Sequence, residues 1–170
     1  MPIRRIENAI SCCELHIRIT DNGDPKVLEI HSYLVYSVVL IIISEYEVLI
    51  ERLFAERANN CGDEHIASYV RKQLNRKFRS PDISKINQTL GDLGQDYLDT
   101  FKSAIENTEF HAAWDNIMRA RHAIVHKQGT CNLTFNELIT SYQKTKQLLT
   151  ELVKVLGLAD TIDIYLNRVR

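Results

Sequence analysis

Helix breakers are scarce in this chain: three prolines and six glycines among 170 residues. That is too few for many short strands joined by tight turns, and they fall where long helices would be connected. Cysteine is equally sparse and badly spaced for a metal. Cys12 and Cys13 are neighbours while Cys61 and Cys131 lie far away, so no metal-ligand spacing occurs. With no signal peptide in evidence, free buried thiols in a reducing, cytoplasmic setting are the expectation. An excess of one charge is also missing. Lys and Arg total 21 against 22 for Asp and Glu, a formal net charge of −1, which argues against a protein that coats nucleic acid through a broad basic surface. The most apolar stretch, residues 33–43, meets Ser44, Glu45 and Glu47. It falls short of the roughly 20 residues that span a bilayer, so it reads as a buried helix, and no membrane partner is expected.

What is present is apolar residues at helical spacing. At 170 residues with 45% hydrophobic content, the chain 1–170 is expected to form a single domain with a real core. Residues 4–20 read as a first helix, closed by Asp21-Asn22-Gly23-Asp24-Pro25. A long pattern runs from 26 to about 58 and stops at Asn59-Asn60-Cys61-Gly62. Asp63 suits the N-cap of a helix to about Phe78. Ser80-Pro81 opens the next, with serine as cap and proline in the first turn. Gly91 and Gly94 bracket a break, after which residues 95–107 are amphipathic. Thr108 can cap a helix that ends before Gly129. Thr134-Phe135-Asn136-Glu137 has capping-box spacing and starts a last long helix to about Leu156; residues 160–168 suit a short tail helix. The β-branched run 38–43 would suit a strand equally well. Its surroundings decide, because Tyr36, Leu40, Ile43, Ile50 and Phe54 recur at steps of three and four, as a helix face requires. The fold class is all-α: an antiparallel helical bundle with one long central helix.

One helix carries residues with chemistry. In Arg121-His122-Ala123-Ile124-Val125-His126, an arginine able to hold phosphoryl charge stands five residues before a histidine able to move a proton at neutral pH. On an ideal helix that step turns by about 140°. Both side chains can therefore reach one ligand only if the helix end loosens or a second subunit contributes. A surface arginine followed by a histidine at the helix C-terminus fits the same spacing.

The segment Asp115-Asn116-Ile117-Met118-Arg119-Ala120-Arg121-His122-Ala123-Ile124-Val125-His126-Lys127-Gln128-Gly129 resembles the signature of HEPN domains, the higher eukaryote and prokaryote nucleotide-binding superfamily. That signature is an arginine, four to six residues, then a histidine, with a polar residue after the arginine; here the polar residue is His122. The layout is also similar to the ribonuclease-L-like HEPN subgroup over roughly residues 30–155. A long helix carries Ser44-Glu45-Tyr46-Glu47, and Ile86-Asn87-Gln88-Thr89-Leu90-Gly91 precedes the signature helix. The resemblance implies a metal-independent endoribonuclease acting on single-stranded RNA without a cofactor. It further implies a homodimer whose two motifs face each other, with one histidine as base and the other as acid. A prokaryotic toxin or defence effector with a cognate antitoxin or other regulator is the setting it suggests. Arg121 and His126 would be catalytic, with His122 and Glu47 in support. Some HEPN proteins are modified on a tyrosine two residues past the motif histidine; Gln128 stands there instead.

Four other readings stand beside these, three from the residues themselves and the last, a non-catalytic HEPN module, within the same resemblance. Glu47 lies in the apolar stripe and needs a partner: Arg121 is expected, and Arg52, Arg57 or solvent are the alternatives. The run Arg71, Lys72, Arg76, Lys77 and Arg79 is suited to guide an RNA backbone, or to be a solvated helix face. His122 and His126 share a helical face and could hold zinc, but a third ligand is lacking, so no metal is expected. A non-catalytic module that binds RNA, a nucleotide or a protein partner has the same helices and the same balanced charge.

Overall fold

The computed structural model describes residues 3–20, 23–77, 81–126 and 133–159, the side chains of 75–77 excepted. These residues form seven helices and no strand: α1 (Arg4–Ile19), α2 (Pro25–Asn59), α3 (Glu64–Lys77), α4 (Ile83–Leu93), α5 (Gln95–Ile105), α6 (Phe110–His126) and α7 (Phe135–Val155). The β-branched run 38–43 is helical, inside α2. The tail 160–168 lies outside the described residues.

Side-chain caps set most of the helix starts. Asp24 accepts from the Lys26 amide at 2.9 Å, with Pro25 in the first turn of α2. Asp63 Oδ1 accepts from the amides of His65 and Ile66 at 2.9 and 3.1 Å, which satisfies two orphan donors of α3. Thr134 and Glu137 form the expected capping box on α7. The start of α4 differs from expectation: it begins at Ile83 behind Asp82, which makes no side-chain cap bond. Pro81 stays outside because its carbonyl is used elsewhere, accepting from Trp114 Nε1 at 2.8 Å.

The long helix α2 is the hub, packing against α1, α3, α6 and α7. Its inner side is Val35, Val38, Val39, Ile42, Ile43, Tyr46, Leu49, Ile50, Leu53 and Phe54, all buried, each worth about 1.5–3 kcal/mol when fully covered. The stripe is rotated from the expected one. Leu40 is 39% exposed and Tyr36 only half-buried, because a straight 35-residue helix turns any single row of residues away from its neighbours. The apolar window is also longer than residues 33–43 alone suggest. By length and composition α2 could cross a bilayer, with an 18-residue window of mean hydropathy 1.9, of which 28% is buried. Ile30, Tyr33 and Leu40 remain exposed on its outer side, and Leu28 is exposed near its start.

Two buried contacts fix α6 against this hub. Trp114 stacks on Tyr46, ring centroids 5.1 Å apart at 15°. Tyr46 Oη lies 2.7 Å from Thr145 Oγ1 on α7. Thr145 already gives its proton to the Tyr142 carbonyl at 2.9 Å, so Tyr46 is the donor. Burial holds the Tyr46 hydroxyl far above its ordinary pKa, securing it as a donor.

Candidate functional site

Ala113, Trp114, Ile117 and Ala120 are the buried face of α6. The opposite face presents His111, Asp115, Arg119, His122 and His126. His111 Nδ1 lies 3.5 Å from Asp115 Oδ2. Arg119 donates to Asn116 Oδ1 at 2.7 Å and to the Asp115 carbonyl at 3.3 Å. His122 and His126, one turn apart and both exposed, have ring centroids 4.9 Å apart with planes tilted by 44°.

Arg121 occupies a different sector, at the half-buried edge of the helix. α6 is regular through His126. The loosening that would let Arg121 and His126 converge within one chain therefore does not occur before the histidine, and the two stay about 140° apart around the axis. Arg121 and His122 instead share an open groove of 690 Å³ with Asp82, Asp115, Met118, Arg119 and Ala123. His126 is not in its lining.

Glu47 lies half-buried on α2. Burial raises its carboxyl pKa, opposed first by the positive charge of Arg121 and then by that of Lys85. The expected Glu47–Arg121 pair is not closed: Glu47 makes no hydrogen bond or ion pair with either cation, and the charge of Arg121 acts on it only through space. Arg57 is otherwise engaged, donating from Nε and Nη2 to Tyr97 Oη, and Arg52 is exposed. Lys85 reaches Asp82 Oδ2 at 3.6 Å. Nothing in the sequence singled it out, because only the approach of α4 to α2 brings it near Glu47.

Of the basic run, Arg71 and Lys72 are exposed on α3, with Arg71 Nε donating to the Ala67 carbonyl at 3.4 Å. The side chains of Arg76 and Lys77, and Arg79 entirely, lie outside the described residues. α3 packs on α2, and α6 packs on α2 and α7, so α2 links the basic helix to the motif. Among the described residues no group of three or more His, Cys, Asp and Glu could hold a metal ion. Among the described residues the thiols are not uniformly buried as expected: Cys12 and Cys61 are exposed and Cys13 is buried, its pKa raised by that burial; Cys131 lies outside the described residues.

Chemically, the arrangement offers a half-buried cation whose charge reaches a carboxylate on α2, an open groove, and two solvent-facing imidazoles on the same helix. Such groups can hold a phosphoryl oxygen and transfer protons at neutral pH. No curated protein and no solved structure matches this chain. Residues 3–157 match the family described as RiboL-PSP-HEPN, and the chain belongs to that HEPN family.

Proposed function

We propose that this protein is a metal-independent endoribonuclease that cleaves single-stranded RNA, working as a homodimer in which Arg121 of one copy meets His126 of the other. The observation that carries the reading is the placement of both residues on one regular helix, within a HEPN family match, with the charge of Arg121 acting on the half-buried Glu47. Their separation around the axis argues for two copies at one site. The uncovered apolar side of α2, with Ile30, Tyr33 and Leu40 exposed, offers a seam for the second copy.

The chemistry follows from the residue types. His126 takes the proton of the ribose 2′-OH, and the resulting oxygen attacks the adjacent phosphorus. Arg121 holds the non-bridging oxygens as charge builds on them. The P–O5′ bond breaks, the departing 5′-oxygen takes a proton from solvent to become a hydroxyl, and the other product is a 2′,3′-cyclic phosphate. DNA, without a 2′-OH, is inert. Glu47 keeps the guanidinium oriented, His122 contributes to the groove beside it, and Arg71, Lys72, Arg76, Lys77 and Arg79 attract the RNA backbone from outside the site. A toxin or defence effector held in check by a cognate antitoxin or another regulator is the biological setting this activity suits, in the cytoplasm.

The test is incubation of the purified protein with single-stranded RNA in excess EDTA, beside Arg121→Ala and His126→Ala. Cleavage is expected from the wild type, with each variant slower by about 10²- to 10³-fold. A folded dimer that binds RNA without cutting it replaces this reading with that of a non-catalytic binding module. Cleavage abolished by EDTA replaces it with metal-assisted hydrolysis.

A further inference from the structure

We infer that His122 and His126 together form an exchangeable binding site for a late first-row divalent cation, of which zinc and copper are the type, and that the ion competes with proton transfer at this helix face. The competition rests on the ribonuclease reading above; the binding does not.

Two histidines four residues apart on a regular helix present their rings on one side, the same placement by which paired helical histidines hold zinc. The rings here have the right spacing. A zinc–nitrogen bond of about 2.0–2.1 Å extended by the ring radius, and opened to a tetrahedral angle, sets two ring centres about 5 Å apart; the observed centroids are 4.9 Å apart. Both residues are exposed, so an ion can arrive carrying its remaining waters. Among the described residues neither ring has a hydrogen-bond or ion-pair partner to compete with the metal. Of the other described helical histidines, His111 lies 3.5 Å from Asp115, His31 lies 2.8 Å from Thr20 Oγ1 with His16 packed edge-on against it, and His65 is exposed on α3 with no second histidine one turn away.

The missing third ligand sets the character of the site. Structural zinc is enclosed by four protein ligands, whereas two imidazoles leave half the coordination sphere to water. Such a site fills and empties with the free metal concentration. Imidazole selects copper, nickel and zinc over magnesium, which prefers oxygen donors. A ring nitrogen whose lone pair is bound to the ion cannot accept a proton from a ribose hydroxyl, so a bound ion silences His126 as a base.

The experiment is calorimetric titration of zinc chloride into the full chain, into His122→Ala and into His126→Ala. The exposed thiols Cys12 and Cys61 take zinc in all three proteins, so the readout is the difference between them. Each variant is expected to lose one equivalent per chain, and magnesium chloride is expected to give no binding at these positions. Equal stoichiometry in the three proteins overturns the proposal, as does a loss confined to one variant. In a parallel cleavage assay, saturating zinc is expected to slow the wild type by about 10²-fold, the contribution of a general base, with EDTA restoring the rate. Cleavage indifferent to zinc overturns the competition. RNA left uncut even in EDTA strikes the ribonuclease reading alone, because the calorimetry reads the metal site without it.

Discussion

At the scale of single residues, Glu47 is where stability and activity pull in opposite directions. Its carboxyl pKa is raised chiefly by burial, with Arg121 and Lys85 offsetting part of that cost. A raised carboxyl pKa means that the folded state binds the proton more tightly than the unfolded chain does. Its ionised form therefore costs stability at neutral pH, and the cost is relieved as pH falls through the raised value. Glu47→Gln is expected to raise the thermal midpoint at pH 7 and flatten its dependence on pH just above the ordinary carboxylate range. RNA cleavage by the same variant should fall by about tenfold or more as Arg121 loses its orienting charge. Thermal scans across that range, paired with cleavage rates, check both halves; a variant that is less stable and equally active sinks the positioning role. Arg121, His126 and Glu47 can be singled out from the sequence because the chemistry proposed for them resides in the residue types and their spacing. Lys85 was not, since an isolated lysine acquires meaning only when the fold carries it to a carboxylate on another helix.

At the scale of elements, α7 shows how far local rules reach. The Thr134 amide and hydroxyl donate to Glu137 Oε2 at 2.8 and 2.7 Å, and Thr134 Oγ1 accepts from the Glu137 amide at 3.3 Å. These bonds hold the Glu137 carboxyl below the ordinary carboxylate range. Its contribution is therefore present above the unfolded-state pKa and fades as pH falls through the lowered folded value. Thr134→Ala is expected to cost about 1 kcal/mol, a fall of roughly 2–4 °C in thermal midpoint for a chain of this size, measured by circular dichroism at neutral pH. The far end of α7 closes on Gly157 at φ 68°, with the amides of Gly157 and Leu158 bonded to the carbonyls of Lys154 and Val153 and Leu158 buried. This is the Schellman pattern, which favours glycine at the left-handed position. Capping boxes and Asp63 were readable because their signals span four residues. The start of α4 was misread because Pro81 answers to Trp114, 33 residues away. Leu40 was misplaced because a row of apolar residues says nothing of where the neighbouring helices stop.

At the scale of the whole molecule, the central expectation concerns assembly. The all-α architecture was open to sequence reasoning, since scarce glycine and proline leave long helices few alternatives. Which helices flank α2, and which of its sides stays bare, depends on packing that periodicity does not encode. If Arg121 and His126 act across two copies, inactive variants should complement each other. In a mixed dimer of Arg121→Ala and His126→Ala, one of the two sites receives both residues intact. Random exchange then restores about a quarter of wild-type activity, by the two-fold symmetry of the pairing. Mixing, equilibrating and assaying the two proteins measures this; a mixture as inactive as its parts places the arginine and histidine of each site on the same chain.

The seating of Trp114 has one more consequence. It is the chain's single tryptophan, 1% exposed, with its ring nearly parallel to Tyr46 and its N–H held by the Pro81 carbonyl. It shares α6 with Arg121 and His126, two turns before the arginine and on nearly the same side of the axis. The protein thus contains its own optical gauge: all of its indole emission comes from a dry, stacked ring on the helix that bears the motif, and anything that lifts or turns α6 changes the colour and intensity of that light.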